Sequence, residues 1–344
     1  MKQSYRWIKK SILFLSLSPF SVVSATEFVA ADDSFSWLPN RNVIRIQEQG
    51  LPIWSVQPAD LLPDGQPNDA LNHFSDRPEG FTPQALVMHY TVCDFESTLR
   101  LFAESPREVS AHYVISENQE GVVSGGTVVQ VVPEDKRAWH AGPSEWRGIL
   151  CDTRDGKSRG LNSASIGIEN VNKGFTEAGG VITWYPFDSR QIHALGQLSA
   201  GIVARWGIHP TNVVGHSDIQ VGVKSDPGVL FPWGELYHKY GIGAWLTPAE
   251  LVGRFSEGAI ERQPLPQGVS EAYFLHRLKE YGYTGVPDGS GEITPELVKF
   301  LRAFRMHFSA NQQPDKLDGP LREEDMAWIH SLTTKYPREI SASL

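Results

Sequence analysis

In this chain of 344 residues, the side chains best placed for chemistry are histidines at the ends of apolar runs. His89 follows directly on Leu86-Val87-Met88, and His216 follows Val213-Val214-Gly215 in the same way. Asp226 lies ten residues beyond His216, within Lys224-Ser225-Asp226-Pro227-Gly228. There Pro227 restricts the backbone and Gly228 permits a sharp turn, which suits a loop that holds a carboxylate in place. Two imidazoles and one carboxylate occupy three tetrahedral positions on zinc and leave the fourth to water, the pattern of a catalytic site. A histidine at a strand end is also a common hydrogen-bonded structural residue. Spacing by itself leaves both readings open, and eleven histidines in all mean that position, rather than number, must select.

For these groups to meet, the apolar runs must be strands ending at one edge of a sheet, as in α/β domains. Residues 85–91 form a nearly continuous apolar run, the pattern of a strand buried on both faces. Asp94 can cap a helix through Leu99, Leu101 and Phe102. Residues 111–116 and 127–132 read as strands around a polar turn, with 165–170 and 212–215 as further strands. The clearest helix starts after Asp188, with Gln191 at capping-box spacing. Its apolar face holds Ile192, Leu195, Ile202, Val203 and Trp206, and His193 reads as an ordinary helix residue. The expected fold is α/β, a single mixed sheet flanked by helices, followed by a small three-helix C-terminal domain. Its helices are read at 270–281, 294–307 and 321–333, with Pro295 at the first helical position after Thr294.

The N-terminus carries Lys2, Arg6, Lys9 and Lys10, then a short apolar run and Val23-Ser24-Ala25. This reads as an export signal over residues 1–25, too short to span a bilayer as a folded helix, with no cysteine placed for a lipid anchor. Export makes the mature protein periplasmic or extracellular, with no transmembrane segment. Removing the segment takes four positive charges and no acidic ones from a chain of net charge −9, leaving −13. So acidic a chain does not suit nucleic acid, where phosphate contacts dominate affinity. The two cysteines, Cys93 and Cys151, can be free or bridged in an oxidising compartment. The remaining divisions are an extended proline-rich arm at 26–71, a catalytic domain at 72–250, a linker at 251–269 and the helical domain at 270–344. Oligomeric state is open.

Five segments occur in order: Leu86-Val87-Met88-His89-Tyr90-Thr91, Ala138-Trp139-His140-Ala141-Gly142, Ser165-Ile166-Gly167-Ile168-Glu169-Asn170, Val214-Gly215-His216-Ser217-Asp218 and Lys224-Ser225-Asp226-Pro227-Gly228. Together they resemble the zinc-dependent N-acetylmuramoyl-L-alanine amidases, which share their fold with peptidoglycan recognition proteins. The resemblance spans roughly residues 72–246. It implies that His89, His216 and Asp226 bind Zn²⁺, that Glu169 is the catalytic acid/base, and that Lys224 stabilises the transition state. The implied partner is peptidoglycan, as muropeptides or the intact sacculus, cut between N-acetylmuramic acid and L-alanine. Tyr90, Trp139, His140, His112 and Asn172 are candidate substrate-binding residues. Packing within the fold is the alternative for His112, Trp139 and His140.

Asn170 stands where many relatives have leucine, and the charged, glycine-rich insert at 149–160 is expected to reshape a rim of the groove. The C-terminal segment resembles small peptidoglycan-binding domains through Leu278, Tyr281-Gly282-Tyr283, Asp288-Gly289, Thr294 and Phe304, but has Arg305 where glutamine is usual. The alternative for that segment is a helical appendage that only stabilises the catalytic domain. Two other functions compete with hydrolysis of the muramyl amide. They are a non-catalytic peptidoglycan sensor of the same fold, and a zinc peptidase acting within the stem peptide.

Overall fold

The computed structural model describes residues 35, 43–48, 50–56, 73–104, 109–118, 123–154, 157–252, 270–288 and 294–338. The expected export signal, most of the linker and part of the arm lie outside them.

In chain order the elements begin with β1 (Val43–Glu48), β2 (Leu51–Val56), β3 (Ser75–Asp76), β4 (Ala85–Tyr90) and α1 (Phe95–Glu104). Strands β5 (Tyr113–Ile115), β6 (Val128–Gln130), β7 (Lys136–Arg137), β8 (Asp152–Arg154), β9 (Lys157–Gly160), β10 (Ser165–Asn170), β11 (Phe175–Ala178) and β12 (Val181–Trp184) follow. Then come α2 (Ser189–Trp206), β13 (Val213–Gly215), α3 (His216–Ile219), α4 (Trp233–Tyr240) and α5 (Pro248–Val252). The C-terminal helices are α6 (Glu271–Tyr281), α7 (Pro295–His307) and α8 (Glu323–Lys335).

The main sheet has the order β1-β2-β6-β5-β10-β4-β13. β4 lies between β10 and β13 and runs parallel to both, while β1–β2 and β5–β6 are antiparallel, so the sheet is mixed as expected. Alternation along β4 sends its side chains to two cores. Leu86 and Met88 meet Ile166, Ile168 and the α2 residues Ile192, Leu195 and Ile202. Ala85 and Val87 face the other way, toward Trp146, Leu161 and the C-terminal helices. Parallel β4 is thus covered on both faces, which its unbroken apolar run requires.

Three expectations change. Part of the 26–71 arm is a hairpin, β1–β2, and β2 extends the main sheet by pairing with β6 in parallel. Gln191 does not close a capping box. Asp188 caps α2 by accepting from Arg190 N, while Gln191 is buried and donates to Ile115 O and Val171 O. The described C-terminal helices pack against the catalytic part as well as among themselves. Phe274, Leu278, Leu301 and Phe304 share one apolar cluster with Trp146, Val87 and Val214. Arg305, the departure noted in the sequence, is buried in an ion pair with Asp325 and also donates to Gly319 O. Cys93 is exposed and Cys151 partly buried, and the two are not bridged to each other. Among the described residues no helix is long and apolar enough to cross a membrane.

Candidate metal centre and active site

The sheet register assembles the site. Glu169 is paired with His89 across β10–β4, and Gly215 with Met88 across β13–β4, so His216 begins one residue further on, beside His89. The site therefore lies at the carboxyl ends of three adjacent parallel strands. Asp226 is brought back by a loop in which Ser217 N donates to Asp226 O at 2.9 Å. The approach is close enough to need glycine. A Cβ on Gly215 would lie 2.7 Å from Pro227 Cδ, and one on Gly228 (φ +84) would lie 2.6 Å from Trp184.

His89, His216 and Asp226 each offer a donor atom within 4.8 Å of the others, and all three residues are buried. His89 Nδ1 is 2.8 Å and His216 Nδ1 3.1 Å from the same oxygen, Asp226 Oδ2. Burial pushes the His89 imidazole down to about 4. Burial alone would raise the Asp226 carboxyl, but the neighbouring charge and hydrogen bonds of His216 and His89 outweigh it and hold it well below the usual carboxylate range. At neutral pH an ionised carboxylate thus faces a neutral His89, the protonation states a metal requires of its ligands.

Hydrogen-bond polarity tests the fit further. Ser165 Oγ is 2.7 Å from Leu161 O, and a carbonyl only accepts, so the serine donates its one proton there. At 3.2 Å, Ser165 Oγ must then accept from His140 Nε2. Burial, then the charge of His89, pushes the His140 imidazole far down, so it is neutral and its Nδ1 is bare. That atom, 3.0 Å from His89 Nε2, accepts a hydrogen bond from it. A neutral His89 with its proton on Nε2 turns a bare Nδ1 lone pair toward Asp226 Oδ2. Two lone pairs 2.8 Å apart repel unless a cation lies between them, so the donor set fits Zn²⁺.

Glu169 is partly exposed, but its Oε2 is buried without a hydrogen-bond partner among the described residues. Burial, then the negative charge of Asp226, raises its carboxyl to about 8, against the lowering effect of Lys224. Lys224 itself is exposed on the rim of a cleft of about 360 Å³. His89, His216, Asp226, Glu169, Tyr90, Trp139 and His140 also line that cleft, whose volume is within the usual range for a small-molecule site.

The other expected contact residues divide. Tyr90 is partly exposed, and its hydroxyl is 2.7 Å from Ser225 Oγ. Trp139 is a partly exposed wall. His140 borders the cleft, yet both ring nitrogens are engaged with His89 and Ser165, so it braces a candidate ligand. Two candidates do not line the cleft. His112 is fully buried, with Nδ1 accepting from Gly167 N and Nε2 near Lys136 O, and packs within the fold. Asn172 is buried too. It donates to Pro186 O and accepts from Gly174 N, holding the chain around the β11–β12 hairpin. None of the described residues of the 149–160 insert lines the cleft.

Ser165 and Asn162, whose Oδ1 accepts from His140 N and Ala141 N, escaped the sequence reading. Gly167 carried the available signal. A glycine inside a strand marks a close approach, and a Cβ there would lie 2.5 Å from the His140 ring.

Comparison with known proteins bears on this geometry. Residues 79–229 match the family described as N-acetylmuramoyl-L-alanine amidase. The chain is 38% identical to N-acetylmuramoyl-L-alanine amidase AmiD of Escherichia coli (strain K12) over 257 residues, 74% of this chain and 84% of that protein. A solved complex of E. coli AmiD with the substrate anhydro-N-acetylmuramic acid-L-Ala-D-gamma-Glu-L-Lys superposes with a TM-score of 0.59 at 37% identity, covering 75% of this chain and 92% of that one. Pseudomonas aeruginosa AmpDh3 in complex with anhydromuramic pentapeptide gives 0.60 at 38% identity, covering 77% and 96%. With the ordered motifs and the converging side chains, these matches establish that the chain belongs to the N-acetylmuramoyl-L-alanine amidase family.

Proposed function

We propose that this protein hydrolyses the amide bond between N-acetylmuramic acid and L-alanine in peptidoglycan, with zinc held by His89, His216 and Asp226. The observation that carries the reading is the convergence of those three donors beside the unpartnered Oε2 of Glu169. Bound zinc supplies Lewis acidity, which lowers the pKa of water and polarises a carbonyl. Glu169 takes the proton of the attacking water and delivers it to the leaving nitrogen of L-alanine. One carboxyl serves as base and then acid most effectively when its pKa lies near the working pH, and burial moves Glu169 in that direction. The ammonium of Lys224 faces the negative charge that develops on the amide oxygen. Tyr90 and Trp139 line the cleft on which the substrate lies. The basic and apolar N-terminal segment supports export, which places the enzyme in the compartment of its substrate.

Purified sacculi incubated with the protein, with and without a chelator, test this reading. The expected products are soluble stem peptides with a free L-alanine amino terminus, seen by mass spectrometry and lost with chelator. Zinc loading without any peptide release identifies the sensor, and cleavage within the stem identifies the peptidase.

A further inference from the structure

We infer that Asp218, locked by His307 and Tyr283 of the C-terminal helical region, is a positioning residue for the metal ligand His216. The helical region thereby holds the metal site in shape. The inference rests on the zinc amidase reading above and adds a second task for the C-terminal segment.

Asp218 is two residues beyond His216, in α3, and is buried. Its Oδ2 accepts from Gly215 N at 2.8 Å, closing the turn on which His216 sits. The rest of its capacity is taken from across the interface. The Tyr283 hydroxyl donates to Oδ1 at 2.6 Å, and His307 Nδ1 is 2.7 Å from Oδ2. The His307 ring is itself fixed, stacked on Trp233 at 3.8 Å and on Phe308 at 4.0 Å between centroids. Beyond the other ligand, Asp226, the same region grips the backbone again. Asn311 Nδ2 donates to Val229 O and Phe231 O, and Gln312 N donates to Val229 O. The segment carrying His216 and Asp226 is therefore held on both sides by residues from 283 to 312. A buried carboxylate with three donors has a fixed orientation, and a group that orients a metal ligand sets metal affinity without touching the metal.

Tyr283→Phe and His307→Phe each remove one donor to Asp218 and keep the ring packing. Lys335→Met is the control. It cuts another contact between the same parts, the Lys335 bonds to Glu250 and Trp245 O, far from Asp218 in the chain. The readouts are the zinc dissociation constant by chelator competition and the visible spectrum of the Co²⁺-substituted protein, with near-UV circular dichroism to verify folding. Both ring variants should bind zinc about ten-fold more weakly, the lower end for orienting residues, and shift the Co²⁺ bands. Lys335→Met should match the parent in both even where it melts earlier. Ring variants within two-fold of the parent, or equal weakening by Lys335→Met, would overturn the inference. If His307→Phe does not fold, Tyr283→Phe decides alone. A parent chain that binds no zinc sinks the zinc reading itself and this inference with it.

Discussion

His112 makes a quantitative case for how the buried imidazoles respond to acid. Burial, then the neighbouring Arg77 guanidinium, pushes it from 6.5 to about 3. Between those values the unfolded chain binds a proton at this position and the folded chain does not, so stability falls as pH falls and levels off below about 3. Each unit is worth about 1.4 kcal/mol, and two units below 6.5, at pH 4.5, His112 alone removes about 3 kcal/mol relative to pH 7.5. In His112→Asn the Oδ1 can still accept from Gly167 N, but the bond to Lys136 O is lost, which costs about 1–3 kcal/mol at pH 7.5. Urea unfolding of chelator-treated parent and variant at pH 7.5 and 4.5 isolates the effect, since the other titrating groups are common to both. The gap between the proteins should narrow by about 3 kcal/mol, so that the variant equals or exceeds the parent in acid. A gap independent of pH would refute a neutral, deeply buried His112.

Glu169→Gln should keep zinc in chelator competition yet lose about 10²–10⁴ in turnover; turnover near the parent value would remove Glu169 from its assigned role. Ser165→Ala deletes the acceptor that fixes the His140 proton on Nε2. It should weaken zinc about 10- to 100-fold, with the His140 tautomer visibly changed in imidazole nitrogen NMR. Unchanged zinc affinity would break the argument from hydrogen-bond polarity. Trp146, 2% exposed and donating to Thr211 O, packs between catalytic strands and C-terminal helices. Trp146→Ala should cost about 3–5 kcal/mol of stability, read as one cooperative loss rather than the melting of a separate helical unit.

The strands that carry the ligands were legible because an apolar run ending in a polar residue has few alternatives in an α/β layer. The start of α7 was legible through Pro295 after Thr294, and Thr294 does cap that helix, as Ser270 caps α6. The β1–β2 hairpin was not, because Pro52 interrupts the run and Arg45, Gln47 and Glu48 dilute the alternation. Pro52 is tolerated opposite Gln47 near the start of β2, just outside the Ile53–Ser55 stretch that pairs with β6, since proline is accepted at strand starts and unpaired positions. Docking of the C-terminal helices was not legible for a different reason. Periodicity shows that Leu278 and Phe304 face something apolar, and is silent on whether that is a partner helix or Trp146.

The same distinction separates the ligands from the residues that serve them. A proposed ligand's type narrows its chemistry, so His89, His216 and Asp226 stood out as candidates by residue type and strand-end position, and the resemblance to the amidases then selected them. A supporting group acts by where its proton sits, which is a property of a chain of contacts. Ser165 matters because Leu161 O can only accept, and Asp218 because its oxygens are divided between Gly215, Tyr283 and His307. Neither fact is local in sequence. His89 is braced from within the catalytic sheet, through His140 and Ser165, while the turn carrying His216 is braced from 65 to 89 residues downstream of Asp218. Tyr283→Phe, which removes one donor to Asp218 and keeps the packed ring, should therefore shift the imidazole nitrogen NMR signals of His216 and leave those of His89 largely unchanged.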